Sequence, residues 1–577
     1  VDPVIIAGAG PVGLALALAL ARHQVPTVVL DEGPGVSPES ARSTVLRADT
    51  TDFLTRVGYA RVAADGRAWT SWRTLRRNRE LLHLPLPGDE VLHLSQHRLQ
   101  RGLRDAVSAT PLIELVHHSA VTEIEQDADG VSVHAAGTWW RGSHLVGCDG
   151  PRSTVRKQAR LRFPGRAAAD HYTVATVRVD LPFPGEARLH RDAPQLPDRR
   201  GGVSREVTAR PLPDGVWRLD WRLPVRQPPL TPDALVEQLR ATLAGWNDGA
   251  VPPYELVSTA DHMVQQRLAT RFQVGRVFLA GDAAHLLGSL GMQNLDEGLR
   301  DADNLAWKLA LVWHGCATEQ LLTTYQQERR EAVISRLRAV DQAMPLLQPS
   351  TPLLEARRSL LSGSLRRNAT LLSDGSLGRG RLGAAPAYPS PGASGRSRPA
   401  LSPALSPTSP GVLVHNVPVV TTDGSPDRLR ARLGRGFLVV LVAPGTGVWA
   451  SEHWLGAGLM PRLTEATEAL PLPAELLVAE SYPTASPHTV LLVRPDGHLV
   501  AALHGCRPDD LWALADRARG GGSELPVPRA DGDTAGGGGD RGARDGGARE
   551  AARSRNAGAA MTDRSSRVPA DQARARA

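Results

Sequence analysis

Residues 4 to 22 constrain the fold more than any other part of the chain. An apolar strand, Val4-Ile5-Ile6-Ala7, runs into Gly8-Ala9-Gly10-Pro11-Val12-Gly13 and then into an Ala/Leu-rich helix. Glycines at this spacing allow a tight turn, close approach of backbone to a diphosphate and tight helix packing, while the helix N-terminus receives the phosphate charge. Gly8, Gly10, Val12 and Gly13 are therefore candidate cofactor-binding positions. A second strand, Thr27-Val28-Val29-Leu30, ends in Asp31-Glu32, about twenty residues beyond the glycines, where an acid meets a ribose hydroxyl. This order predicts an α/β unit with a parallel sheet. The uncharged run 4 to 21 is long enough to suggest a membrane span or signal, but it follows Val1-Asp2-Pro3 with no basic segment, and spaced glycines suit a plain apolar span poorly. We expect no membrane association.

The stretch 275 to 309, GRVFLAGDAAHLLGSLGMQNLDEGLRDADNLAWKL, repeats the strand-turn-helix logic with a carboxylate in the turn. Val277-Phe278-Leu279 reads as a buried parallel strand broken at Gly281-Asp282. Leu295, Leu299, Ala302, Leu305, Ala306, Leu309 and Trp313 then recur at helical spacing, which places Glu297, Arg300, Asp303 and Lys308 mostly on the opposite face. An ionised Asp282 is an acceptor suited to the hydroxyls of a flavin's ribityl chain. Free amides at residues 293 to 296 and the positive end of the helix suit the negative charge of a reduced flavin ring. Taken alone, Gly-Asp after a strand equally serves as a turn cap.

A third motif, Leu145-Val146-Gly147-Cys148-Asp149-Gly150-Pro151-Arg152-Ser153, is again a strand broken at Asp-Gly and followed by basic residues. With Gly8 to Gly13 before it and Gly281-Asp282 after it, the chain resembles the class A flavoprotein monooxygenases, the p-hydroxybenzoate hydroxylase-like aromatic hydroxylases. The resemblance assigns Asp31 to the adenosine ribose, Arg42 to the FAD pyrophosphate, Gln96 to the flavin, Asp149 to FAD and the nicotinamide cofactor, Asp282 to the ribityl chain and Leu295 with its neighbours to the flavin ring. Taken singly, Arg42 and Gln96 also fit a solvated helix end or strand edge. His285 is read as a support of the Asp282 turn. Where relatives carry a proline pair this chain has Gly288-Ser289, and where they carry a glycine it has Asn294, followed by Leu295 and Asp296. Asp296 would repel a reduced flavin, so its side chain is expected to point away and cap the helix.

The fold expected from the resemblance is α/β: a Rossmann-like FAD-binding domain with an inserted antiparallel-sheet substrate domain, plus a C-terminal thioredoxin-like domain. The boundaries are residues 1–170 for the first part of the FAD-binding domain, 171–258 for the substrate domain, 259–350 for the second part and its long helices, 351–411 for a helical segment and Pro/Ser-rich linker, 412–518 for the thioredoxin-like domain and 519–577 for a disordered tail. Period-two runs at Tyr172 to Val179 and Val216 to Trp221 suggest the sheet. Val121 to His134 suggests a hairpin turning at Asp129-Gly130. Tyr172, Arg205, Trp217 and Trp221 fall in the substrate sheet, and Tyr172, Trp217 and Trp221 are the candidates for the substrate pocket. By parity Trp217 and Trp221 share one face, open to core packing or substrate stacking.

The resemblance implies FAD as cofactor, NAD(P)H as transient co-substrate, and O2 giving one oxygen atom to an aromatic or polyketide-type phenolic substrate through a flavin C4a-hydroperoxide. No protein nucleophile is then needed. Baeyer–Villiger or other oxidation on the same flavin, a nicotinamide-dependent dehydrogenase and a noncatalytic flavin-binding partner protein are the alternatives. A dehydrogenase would share the glycine turn without explaining Asp149-Gly150 and Gly281-Asp282 together. The 577 residues call for two to four domains. Cys148, Cys316 and Cys506 are too dispersed for a disulfide framework or metal motif, and a reducing cytoplasm is expected. The C-terminal domain has no C-x-x-C pair, so a structural or dimerising role is read for it. A net charge of +7 is too dilute to suggest nucleic acid. No metal is expected.

Overall fold

Short aliphatic strands without charge form the centre of the protein. Val4–Ala7 and Thr27–Leu30, joined by His144–Gly147, are buried along their whole length, as strands covered on both faces must be. The sheet order is Gln273–Val274, Val277–Leu279, His144–Gly147, Val4–Ala7, Thr27–Leu30, Ile113–Val116, parallel except for the edge strand Gln273–Val274. Its register is level. Ala7 pairs with Gly147 and Leu30, and Gly147 pairs with Leu279. Gly8, Asp31, Cys148 and Ala280 are thus the next residues along one carboxyl edge, where open α/β sheets bind ligands.

The computed structural model describes residues 1–35, 40–86, 91–193, 206–223, 230–288, 294–347, 364–388, 406–446, 451–505 and 507–521. The chain divides into two units, Val1–Arg529 and Ala530–Ala577, and every described residue lies in the first. Arg205, Ser289, residue 293, Cys506, much of the 351–411 segment and the tail from 522 lie outside the described residues.

The hairpin is present: Val121–Gln126 pairs with Val131–Ala135, and the Asp127 carboxylate accepts the amides of Asp129 and Gly130, closing the turn. An eight-stranded sheet runs His285–Leu287, Tyr254–Leu268, Gly165–Val179, Val216–Leu223, Val207–Pro211, Glu186–Arg191, Ser71–Arg76, Arg79–Pro85. It is antiparallel except where Glu186–Arg191 meets Ser71–Arg76. Five of its strands come from or extend beyond residues 171–258, so the sheet is built from more of the chain than its period-two runs reveal. Helix Pro232–Trp246 covers one face through Leu235, Leu239, Leu243 and Trp246.

Residues 418–504 form a six-stranded sheet in the order Pro426–Arg428, Pro418–Thr421, Ala474–Ala479, Phe437–Val442, Thr489–Val493, Leu499–His504. Helices Met460–Glu468 and Pro508–Ala518 share one core with a face of this sheet, and that core also takes in Trp307 and Leu321 from the preceding part of the chain. This contact changes the reading of helix Asn294–Trp313. Its charged side is not solvated, since Glu297, Arg300 and Lys308 are all buried. Each lies in an ion pair, the condition under which a charge tolerates burial.

Candidate cofactor and substrate site

The glycine turn divides its labour. A Cβ on Gly8, at φ +104°, would lie 2.6 Å from the Cys148 carbonyl oxygen, and one on Gly13 would lie 2.1 Å from the Gly8 carbonyl oxygen. These two glycines are required by packing. A Cβ on Gly10 would meet nothing within 4 Å, so the face of the turn in front of the helix N-terminus is open. The first-turn amides of helix Pro11–Arg22 have no intrahelical acceptor and make an anion site there. The Ala9 amide donates to Asp31 Oδ1 at 3.0 Å, and Arg104 Nη2 lies 3.6 Å from Asp31 Oδ2. Of the two acids after the second strand, Asp31 is tied to the turn and Glu32 is exposed. Val12 is a wedge: a Cβ on Gly281 or Gly298 would come within 3.0 or 2.7 Å of its Cγ2. That contact seats the carboxylate turn beside the glycine turn.

Asp282 lies in the 3₁₀ turn Gly281–Ala283, with Gly281 at φ +61°. Burial raises its carboxyl above the usual range, with His285 and Arg42 opposing the shift. The turn is held by a residue the sequence reading did not single out. Asp301, fully buried, accepts the Gly281 amide at 3.0 Å, His285 Nε2 at 2.7 Å and Arg329 Nε at 2.7 Å. Burial alone would raise its pKa, but His285 and Arg329 lower it. His285 thus supports the turn.

Arg42 is exposed, and its charge acts on both Asp282 and His262. The Gln96 amide donates to the Arg42 carbonyl at 2.9 Å, which puts these two positions side by side at the start of helix Gln96–Ser108. Asp149 Oδ2 accepts the amides of Thr154 and Val155 at 2.6 and 3.0 Å, while its Oδ1 is buried without a partner. Leu295 is half-buried in the first turn of its helix. Asp296 points away from that edge, but not as a helix cap: its carboxylate accepts Arg47 Nη1 at 2.7 Å and Thr50 Oγ1 at 2.6 Å. Asn294 Oδ1 accepts the Leu287 amide at 2.7 Å. The open cradle at Gly10, the orphaned Asp149 oxygen and the acceptors Asp31 and Asp282 fit an FAD laid along the sheet edge.

Strand parity sorts the eight-stranded sheet into two faces. Trp217 and Trp221 lie on the face covered by helix Pro232–Trp246: Trp221 Nε1 donates to Thr242 Oγ1 at 3.1 Å, and Trp217 stacks edge-on against Phe183. They are core residues, which corrects their assignment to the substrate pocket. Tyr172 lies on the opposite face, cross-strand from Arg222 and His262. That inner face also carries Arg210, Arg218 and Asp220, all buried. Arg218 reaches the segment around Arg42 by donating to the Ala41 carbonyl at 2.8 Å and to Ser43 Oγ at 3.2 Å. His93 Nδ1 donates to the Pro211 carbonyl at 2.9 Å, leaving Nε2 to accept from Ser43 Oγ at 2.8 Å. At the other end of the same face Trp72, Ala187 and Leu189 pack with Trp69, Val45 and Leu377. None of this polar cluster was expected from sequence, because its members are scattered over 180 residues.

A cleft bordered by Asp49, Arg56, Arg300, Asp303, Tyr388 and His498 includes none of the candidate cofactor residues. Among the described residues no helix is long and apolar enough to cross a membrane, and no group of three or more His, Cys, Asp or Glu could hold a metal ion.

Residues 2–340 match the family model described as FAD binding domain. The dialkyldecalin synthase of Streptomyces rugosporus is 35% identical over 342 residues, 57% of this chain and 70% of that protein. The 6-methylpretetramide 4-monooxygenase of Streptomyces rimosus is 34% identical over 343 residues, 56% of this chain and 58% of that protein. Among solved structures, the flavin-dependent monooxygenase PieE in complex with FAD and substrate superposes with a TM-score of 0.72 at 19% identity, covering 90% of this chain and 99% of that one.

Proposed function

Because this chain belongs to the FAD binding domain family over residues 2–340, we propose that it is an NAD(P)H-dependent flavoprotein monooxygenase that hydroxylates an aromatic or polyketide-type phenol. The observation that carries this reading is the level register, which sends the Gly8, Asp31, Asp149 and Asp282 turns off one sheet edge. Bound FAD, reduced by NAD(P)H, supplies the activation of O2. The chain's residues bind and orient it. The amides after Gly10 take the diphosphate, Asp31 the ribose, and Asp282 with Arg42 the ribityl-diphosphate segment. Gln96 and the backbone around Leu295 border the flavin ring. With Asp296 paired to Arg47, no carboxylate from that turn opposes negative charge on the ring.

Residues 1–170 and 259–350 make up the FAD-binding body in this reading, and 171–258 the inserted substrate domain, whose inner face excludes water above the flavin. Tyr172 borders that space. Residues 412–518 are a thioredoxin-like domain with a structural role, since the chain has one cysteine, Cys506, beyond Cys316 and so no pair for thiol exchange. The reaction belongs in a reducing cytoplasm.

The similarity to a dialkyldecalin synthase favours a second reading, formation of a decalin ring system without oxygen transfer. Incubating the FAD-loaded protein with NADPH, heavy-isotope O2 and polycyclic phenols separates the two. A product carrying one labelled oxygen atom is expected; product of unchanged mass, formed without NADPH, would sink the hydroxylase reading.

A further inference from the structure

The inner face of the eight-stranded sheet holds an excess of buried positive charge. Asp220 is saturated: its Oδ1 accepts Arg218 Nη2 at 2.7 Å and Nε at 3.0 Å, and its Oδ2 accepts Arg210 Nη2. Burial would raise the Asp220 carboxyl, but Arg210 and Arg218 hold it well below its usual range, so it is ionised. Two guanidiniums therefore share one carboxylate. The neighbouring His93 does not alter the balance, because burial and then Arg210 hold its imidazole neutral. Arg218 has spent its other donors on Ala41 and Ser43. Arg210 has not: its side chain is 9% exposed, and its Nε is buried without an acceptor. An unpaired donor on a buried cation is costly unless a ligand completes it.

Tyr172 lies close enough to act electrostatically on Arg210, and His262 is reached by both arginines and by Arg42, whose charge also acts on Asp282. The other end of the same face is aromatic and aliphatic, with Trp72, Ala187 and Leu189. We propose that Arg210 is the anion-binding residue of the substrate site, and that the substrate is a fused aromatic bearing an ionised oxygen, phenolate or carboxylate, at the end lodged against Arg210. This rests on the hydroxylase reading for the location of the substrate, and it adds substrate charge, which that reading leaves open. A guanidinium with an unpaired Nε–H matches an oxyanion as its missing acceptor.

The test is equilibrium binding to the full-length, FAD-loaded protein, read by perturbation of the flavin spectrum. The probes are 2-hydroxyanthraquinone, anthraquinone-2-carboxylate and the neutral 2-methoxyanthraquinone. At least one anionic probe should bind roughly tenfold more tightly than the neutral one. The tighter of the two identifies the oxyanion. Bound 2-hydroxyanthraquinone should show its phenolate absorption at a pH where the free compound is protonated. Arg210→Gln should abolish the preference while leaving FAD content and 2-methoxyanthraquinone affinity unchanged, and Arg210→Lys should keep part of it. Equal affinities for all three probes, no binding of either anion, or a preference that survives Arg210→Gln would overturn the proposal. Should Arg210→Gln fail to fold, the wild-type phenolate spectrum and Arg210→Lys decide. Anion preference without oxygen transfer would refute the hydroxylase reading alone; oxygen transfer without anion preference would refute this one alone.

Discussion

Gly8 and Gly10 occupy one motif for different physical reasons, and substitution separates them. Alanine at Gly8 would be strained by the positive φ and would drive its Cβ against the Cys148 carbonyl. The backbone strain alone is on the order of 1–3 kcal/mol, so Gly8→Ala should lower the Tm of the protein freed of FAD. Gly10, at φ −70° and ψ 173°, has a backbone any residue adopts. Gly10→Ala should leave that Tm unchanged and weaken FAD binding at least tenfold, measured by flavin fluorescence. Equal Tm losses in both variants would refute the division. Asp301 makes a second case. Asp301→Asn removes the charge that holds Arg329 and His285, and breaking a buried pair typically costs about 3–5 kcal/mol. The expected result is a lower Tm and loss of flavin on gel filtration; a variant retaining both would show that Asp282 holds its turn unaided. Spacing exposed Asp31 and Asp282 because each immediately follows an apolar strand. It could not expose Asp301, whose ligands Gly281, His285 and Arg329 come from two other stretches of chain.

Within single elements, alternation and helical spacing carry geometry but not identity of the partner. Alternation in Val216–Leu223 places Trp217 and Trp221 on one face, and they are on one face; which face is covered depends on the later helix Pro232–Trp246, which takes the tryptophans into its own core. The resulting prediction is that Trp221→Ala costs about 3–5 kcal/mol by leaving a core cavity while phenol affinity stays within twofold of wild type. A selective loss of affinity at unchanged stability would return Trp221 to the pocket. The long helices expected within residues 259–350 meet a similar limit at residues 320–347. The helix is broken by a π turn at Gln326–Arg330, and within it adjacent Glu328 and Arg329 are both buried, one paired to Lys308 and Arg494, the other to Asp301 and Glu297. No regular periodicity announces such a turn, since π turns are rare and set by their tertiary partners. Strands Ser71–Arg76 and Arg79–Pro85 were illegible for another reason: polar residues and arginines interrupt the first, and the second is a part-exposed edge strand, so neither shows the apolar alternation that marks a strand.

At the scale of the molecule, the C-terminal sheet is tied to the family-matched part through charge as well as through apolar surface. Glu328 accepts Lys308 Nζ at 2.7 Å from its own side and Arg494 Nη1 at 2.7 Å from the C-terminal strands, and Arg494 also pairs with Asp496. Burial works against the Glu328 carboxylate, but Arg494 and Lys308 outweigh it and bring its pKa to about 2. Burial is stronger at Lys308, which falls to about 8 even with Glu328 opposing the change. The unfolded glutamate takes up its proton near pH 4.5 and the folded one near 2, so across that window the unfolded chain binds more protons and stability falls as pH falls. The contribution of the ionised Glu328 is fully present above pH 4.5 and is lost as pH falls toward 2. Glu328→Gln should therefore lose stability at neutral pH, by about 3–5 kcal/mol because two buried cations lose their partner, and should show a flatter decline between pH 4.5 and 2 than wild type. Urea unfolding followed at several pH values measures both quantities. The wild-type and variant curves should converge as pH approaches 2, where the wild-type glutamate is itself protonated; a constant offset across the acid range would mean that Glu328 contributes through packing rather than charge. The same titration followed by flavin release and by tryptophan fluorescence tests the coupling. Trp307 packs against Phe437 in the shared core, so acid loss of the Glu328 pairs should move its fluorescence together with flavin release. Flavin retained after that fluorescence change would show that the cofactor edge stands without the C-terminal sheet.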